Sequence, residues 1–157
     1  MKKLLFAFLL VVSACSSIDC PVENTVSVQY VICNADGTSL ALTDSLTITS
    51  RGNRSAEIVL NRLANKSAFS LPISYSHPED VLQLEFFNDT ASWRDTVWIK
   101  KDDIPHFESV DCSASFFHRL TDVRYTQNYI DSLVMKNSSV DYDTTRVHFH
   151  IYPKSSH

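Results

Sequence analysis

The stretch Phe69-Ser70-Leu71-Pro72-Ile73-Ser74-Tyr75-Ser76 alternates large apolar and small residues without a break. In an extended chain successive side chains point to opposite faces. The pattern therefore turns Phe69, Leu71, Ile73 and Tyr75 toward a core and their neighbours toward water. A helix would scatter the same residues around its whole circumference. Pro72 has no backbone N–H to give a neighbouring strand, which predicts a position at a sheet edge.

The same period of two runs outward in both directions. Val26, Val28, Tyr30 and Ile32 share one face, as do Leu46 and Ile48, Ala56, Ile58 and Leu60, and Leu82, Leu84 and Phe86. Val97 and Ile99 oppose Thr96 and Trp98. Cys112 to Leu120 and Val123 to Thr126 form two short strands. Tyr129 to Lys136 is a strand by its neighbours, with a short helix as the alternative. Arg146 to Tyr152 is the last strand, with Val147, Phe149 and Ile151 inward. Asn34 to Gly37, Arg51 to Asn53 and Asn88-Asp89 carry turn chemistry, and Lys101 to Pro105 forms a polar loop. No window shows a helical stripe. About nine short, evenly spaced strands predict an all-β domain, an antiparallel two-sheet β-sandwich of immunoglobulin- or transthyretin-like kind, with a small β-barrel as the alternative. With only two glycines in the chain, Asn and Asp must supply much of the left-handed turn geometry.

The N-terminus reads differently. Lys2 and Lys3 precede the apolar run Leu4 to Val12, and Ser13-Ala14 offers small residues at a cleavage point. That is a secretion signal, too short for the roughly 20 residues of a membrane span. Val12-Ser13-Ala14-Cys15 resembles the lipobox of bacterial lipoproteins, which implies acylation of Cys15 after cleavage and stable membrane attachment. The domain organisation is then a signal peptide over 1–14, a lipidated tether over 15–19 and one β-sandwich over 20–157. Ser16 after the cysteine resembles an outer-membrane sorting signal. Surface-exported lipoproteins of the Bacteroides group usually carry an acidic cluster here, and a single Asp19 favours the periplasmic face.

Removal of residues 1–14 leaves 143 residues, enough for one domain with a real core. The side-chain balance moves from −4 to −6, with 12 Lys and Arg against 18 Asp and Glu. A mildly acidic domain without a basic stripe is no nucleic-acid binder. Cys20, Cys33 and Cys112 remain for an oxidising compartment, where a disulfide is expected. Cys20–Cys112 is the favoured pair, because both sit in loop-like settings. Cys20–Cys33 is the rival, and otherwise Cys33 is a small core residue. There is no Cys-x-x-Cys spacing for a metal.

His148-Phe149-His150 is the sharpest chemical signal. Residues two apart on a strand share a face, roughly 6–7 Å apart, and two imidazoles so placed can chelate Zn²⁺ or Cu²⁺. The spacing is similar to the zinc-binding strand of α-type carbonic anhydrases, with a third ligand to come from His118 or His106. The competing reading is a pair of exposed histidines beside Arg146 and Tyr152. Asp141-x-Asp143 and Asp102-Asp103 suit Ca²⁺ by donor type but lack a glycine-punctuated loop, and serve equally as turn residues. Trp93 and Trp98, with Phe116 and Phe117, can stack on sugar rings or pack in the core. Gly-x-Ser-x-Gly, Ser-x-x-Lys and a phosphate-binding glycine loop are all absent from the sequence.

Three blocks, Pro105 to Cys112, Tyr129 to Val134, and Tyr142-Asp143 with His148-Phe149, together with the lipobox and Cys20, resemble a family of small uncharacterised lipoproteins of the Bacteroides group. The resemblance implies a β-rich lipoprotein and no activity, cofactor or substrate. The expectation is a non-catalytic binding or scaffolding module of the cell envelope, needing no cofactor. Its partners are the membrane, through the anchor, and an envelope protein. The alternative is a glycan- or metal-binding lipoprotein.

Overall fold

The computed structural model describes residues 25–52, 55–107, 109 and 111–155, and every regular element among them is a strand. The expected signal, tether, Cys15 and Cys20 lie outside the described residues. The strands are β1 (Ser27–Ile32), β2 (Ser45–Arg51), β3 (Ala56–Leu63), β4 (Ala68–Pro72), β5 (Glu79–Phe87), β6 (Ser92–His106), β7 (Ser115–Tyr125), β8 (Ile130–Met135), β9 (Ser139–Val140) and β10 (Phe149–Pro153). They form a four-stranded sheet ordered β4-β1-β10-β8 and a six-stranded sheet ordered β3-β2-β5-β6-β7-β9. The two sheets are not closed into a barrel, so the sandwich expectation holds and the barrel alternative does not.

Most of the apolar faces foreseen by the alternation build one core, but β4 ends at Pro72, and Tyr75, expected inward, is 62% exposed. Ile32, Leu46, Ile48, Phe86, Ile130 and Phe149 are all fully buried. Each such side chain contributes about 1.5–3 kcal/mol on leaving water. Tyr30 stacks between Phe69 of β4 and Phe149 of β10, at centroid distances of 4.8 and 5.4 Å. Pro72 faces Ser27 at the last pair of β4, which is an edge strand as its missing N–H requires.

Three expectations change. The sandwich is not purely antiparallel, because β1 and β10 run parallel, with Tyr30 opposite Phe149. Lys101 to Pro105 is no loop but the continuation of β6 against β7, past a register shift at Lys100/Lys101. Cys112 to Leu120 and Val123 to Thr126 merge into the single strand β7, whose start is Ser115. β3 also departs from plain alternation. Two register shifts against β2 disturb it, Arg62 adopts a φ of +50°, and Ile58 is left 59% exposed.

The parallel β1–β10 pair gives the sandwich two unlike ends. Thr25 enters at one, beside Ser74 to Ser76 and Asp80, where β6 and β7 extend as a hairpin. Cys33, Leu42, Tyr129 and Pro153 lie at the other.

Candidate functional site

His148 precedes β10 and is fully buried. Its Nδ1 accepts the Gln29 backbone N–H at 2.9 Å, and its Nε2 lies 3.0 Å from the Ser139 carbonyl. An amide can only donate and a carbonyl only accept, so the ring is the neutral tautomer carrying its proton on Nε2. Burial pushes its pKa below the ordinary imidazole value, and the nearby Arg146 adds to that. His150 sits two residues on, with Nδ1 3.4 Å from the Tyr152 hydroxyl. Burial lowers its pKa as well. The chelating pair read from the sequence is thus not assembled, since both ring nitrogens of His148 are taken by backbone groups and a metal on either would break a buried hydrogen bond. His118 and His106, the possible third ligands, are engaged elsewhere, and no three potential ligands converge among the described residues.

His118 belongs to a second cluster. The ammonium of Lys101, with no side-chain exposure, donates to the His77 carbonyl at 2.7 Å and to Asp103 Oδ1 at 2.8 Å. His118 Nδ1 lies 2.7 Å from the same oxygen. Burial lowers the His118 pKa, the bond to Asp103 opposes this, and the charge of Lys101 lowers it further. The imidazole is therefore a neutral N–H donor to the carboxylate. His106 stacks on Phe117 at 4.1 Å, and Tyr142 meets that ring edge-on at 4.9 Å.

The acidic pairs are not open cation sites. Asp102 and Asp103 alternate across β6. Asp141 and Asp143 are bridged by Arg146, whose Nη1 is 2.6 Å from Asp141 and whose Nη2 is 3.2 Å from Asp143. Asp143 also takes the Thr145 hydroxyl and N–H, which depresses its pKa. Asp36-x-Thr38 and Asn88-x-Thr90 repeat that turn.

The two tryptophans do not share a surface. Trp93 pairs with Phe86 on the core face and tilts against Tyr129 at 5.6 Å. Trp98 is on the outer face, half-buried beneath Arg124 at 5.3 Å. Among the cysteines, Cys33 is buried and free, and burial raises its thiol pKa. Cys112 is disulfide-bonded. Cys20 lies outside the described residues.

Sequence reading missed the polar anchors. Asp95, fully buried on β6, accepts the Thr126 hydroxyl and the backbone N–H groups of Asn128, Tyr129 and Ile130 at 2.7–2.9 Å. Asp44 accepts the Tyr129 hydroxyl at 2.9 Å, while the Tyr129 ring stacks on Phe86 at 3.9 Å. The signal was present in phase. Asp95 falls on the face of Val97 and Ile99, where a carboxylate must find donors.

A hollow of about 330 Å³ opens at the Thr25 end, lined by Thr25, Val59, Tyr75 and Asp80, and a cleft of about 760 Å³ opens beside β8 and β10, lined by Asp131, Ser132, Val134, Tyr152 and Lys154. A hollow of about 550 Å³ adjoins it at Asp36 and Leu40. The 760 Å³ cleft and this hollow share Ala35, Pro153 and Lys154 and are at the end opposite Thr25.

No curated protein and no solved structure matches the chain. The family of unknown function DUF6452 matches residues 45–153, from the first residue of β2 to the last of β10, and the chain belongs to that family.

Proposed function

We propose that this protein is a lipid-anchored component of a bacterial cell envelope that works by binding or scaffolding and not by catalysis. Acylation of Cys15 provides the attachment; Ser16 after the cysteine supports the outer membrane, and the single Asp19 supports its periplasmic face. Cys20 bridges Cys112. Cys33, the rival for Cys20, carries a free thiol. The carrying observation is the polarity of the fold. The chain enters at Thr25, beside a hollow of about 330 Å³, and a wider cleft of about 760 Å³ lies at the opposite end, lined by Tyr152 and Lys154. An anchored domain so built presents its cleft away from the bilayer, toward a soluble or wall-associated partner. The histidine and carboxylate groups that would suggest chemistry are committed to holding strands together.

Two measurements test this reading. Cys15→Ser is expected to release the protein from the outer-membrane fraction, and retention there would sink the anchor. Crosslinking and pull-down from intact envelopes, with the lipidated protein as bait, is expected to capture one abundant protein that Lys154→Glu no longer captures. Capture unaffected by Lys154→Glu removes the cleft from the account. Retained polysaccharide in place of a protein turns the reading to glycan binding.

A further inference from the structure

Six large apolar side chains are exposed among the described residues, and four of them, Tyr75, Ile104, Phe107 and Tyr142, gather around the β6–β7 hairpin. Tyr75 is 62% exposed and stacks on Phe116 at 5.4 Å, on one face of the hairpin. Ile104 and the Phe117–Tyr142 pair are on the other face. Phe107, 66% exposed, follows the last residue of β6. Isolated exposed apolar residues need no explanation, but a cluster of aromatics at one tip does.

We propose that this tip docks on the lipid headgroup interface of the membrane that carries the anchor, so that the domain rests against the bilayer and does not swing free. This rests on the lipid-anchor reading above. The length of chain outside the described fold fixes the geometry. From Cys15 to Thr25 there are ten residues, which span at most about 35 Å. Thr25 enters beside Tyr75. Cys112 lies in the loop of the same hairpin, and bridging it to Cys20 leaves only five residues from the acylated end, a reach of about 17 Å. The tip cannot stay far from the headgroups. Its chemistry suits them, because tyrosine favours an environment that is apolar on one side and wet on the other, and the exposed Phe107 and Ile104 gain by leaving water. The exposed charges nearby, Lys100, Asp102, Asp111 and Arg119, are of both signs, so the fit is to a zwitterionic surface and not to a strongly anionic one.

The test uses the acylated full-length protein in phosphatidylcholine vesicles whose acyl chains carry bromine, a contact quencher of tryptophan. Phe107→Trp and Tyr75→Trp report the tip, and Asp89→Trp reports the far end. The unaltered protein gives the background from Trp93 and Trp98. The expected result is strong quenching of the two tip probes and none beyond background at position 89. If the mass of the protein shows acylated Cys15 yet the tip probes stay at background, the docking is overturned and the anchor stands. Equal quenching of all three probes also overturns it, because no face is then preferred. A protein without acyl chains overturns anchor and docking together. A tip probe unquenched in vesicles but shifted to the blue in whole envelopes would assign the tip to a protein, against this proposal.

Discussion

His148 spends both ring nitrogens on backbone groups of two other segments, Gln29 and Ser139. Replacing it with alanine strands the Gln29 N–H, leaves the Ser139 carbonyl with only the Arg146 guanidinium at 3.3 Å and opens a void, so His148→Ala is expected to lower stability by about 3 kcal/mol in urea unfolding. The ring also makes stability depend on pH. In the unfolded chain it binds a proton near pH 6.5, whereas the folded site resists until lower pH. Protons then favour the unfolded chain, so this contribution is complete above about pH 6.5 and is lost as pH falls below it. His118 and His150 are shifted in the same direction and add to the loss. Urea midpoints measured from pH 8 down to pH 5 should fall, and His148→Ala should make that fall shallower. An unchanged slope would show that His148 does not remain neutral in the fold. The His-x-His pattern was legible in the sequence, but its role was not. Which strand residue is covered depends on where Ser139 and Arg146 come to lie, and no local pattern encodes that.

At the scale of elements, β6 shows what alternation does and does not reveal. Its inward positions Val97 and Ile99 continue through Lys101 and Asp103, so the period of two never stops. Only the polarity changes, and charged residues in a row read as a loop. The strand survives because Lys101, Asp103 and His118 satisfy one another. β3 failed for the opposite reason. Its alternation was legible, but an edge strand with two bulges need not bury the face that its pattern suggests. Parallel pairing of β1 with β10 was not legible at all, since alternation specifies faces and not neighbours. The cluster yields its own prediction. Lys101→Met removes the cation that helps hold His118 neutral, so His118 should titrate at a higher pH, as read by NMR of its ring protons. Stability should drop by about 2 kcal/mol, less than for a fully buried pair, because water reaches the 26% exposed Asp103 side chain. An unmoved His118 titration would mean that Lys101 does not act on it.

The whole molecule is polar in the geometric sense, with chain entry and aromatic tip at one end and open cleft at the other. A Cys20–Cys112 bridge would fasten this arrangement by closing a loop that encloses β1 to β6. Cross-links of that span restrict the unfolded chain most, and each of Cys20→Ser and Cys112→Ser should cost about 3 kcal/mol. Because both break one bond, the double variant should be no less stable than either single one. Cys33→Ser is the contrasting case. It places a hydroxyl at a fully enclosed site without touching the bridge, so its cost should add to that of Cys112→Ser. The three single variants and the Cys20/Cys112 and Cys33/Cys112 doubles, compared by urea unfolding under oxidising conditions, decide the matter. Additive losses for Cys20 and Cys112 would separate the tether from the hairpin. The lipid would then hold the domain by a leash of ten residues with no fixed orientation. Coincident losses would fasten Cys20 to the hairpin that carries the aromatic tip, and with the proposed anchor that end would face the membrane, leaving Tyr152 and Lys154 at the other end.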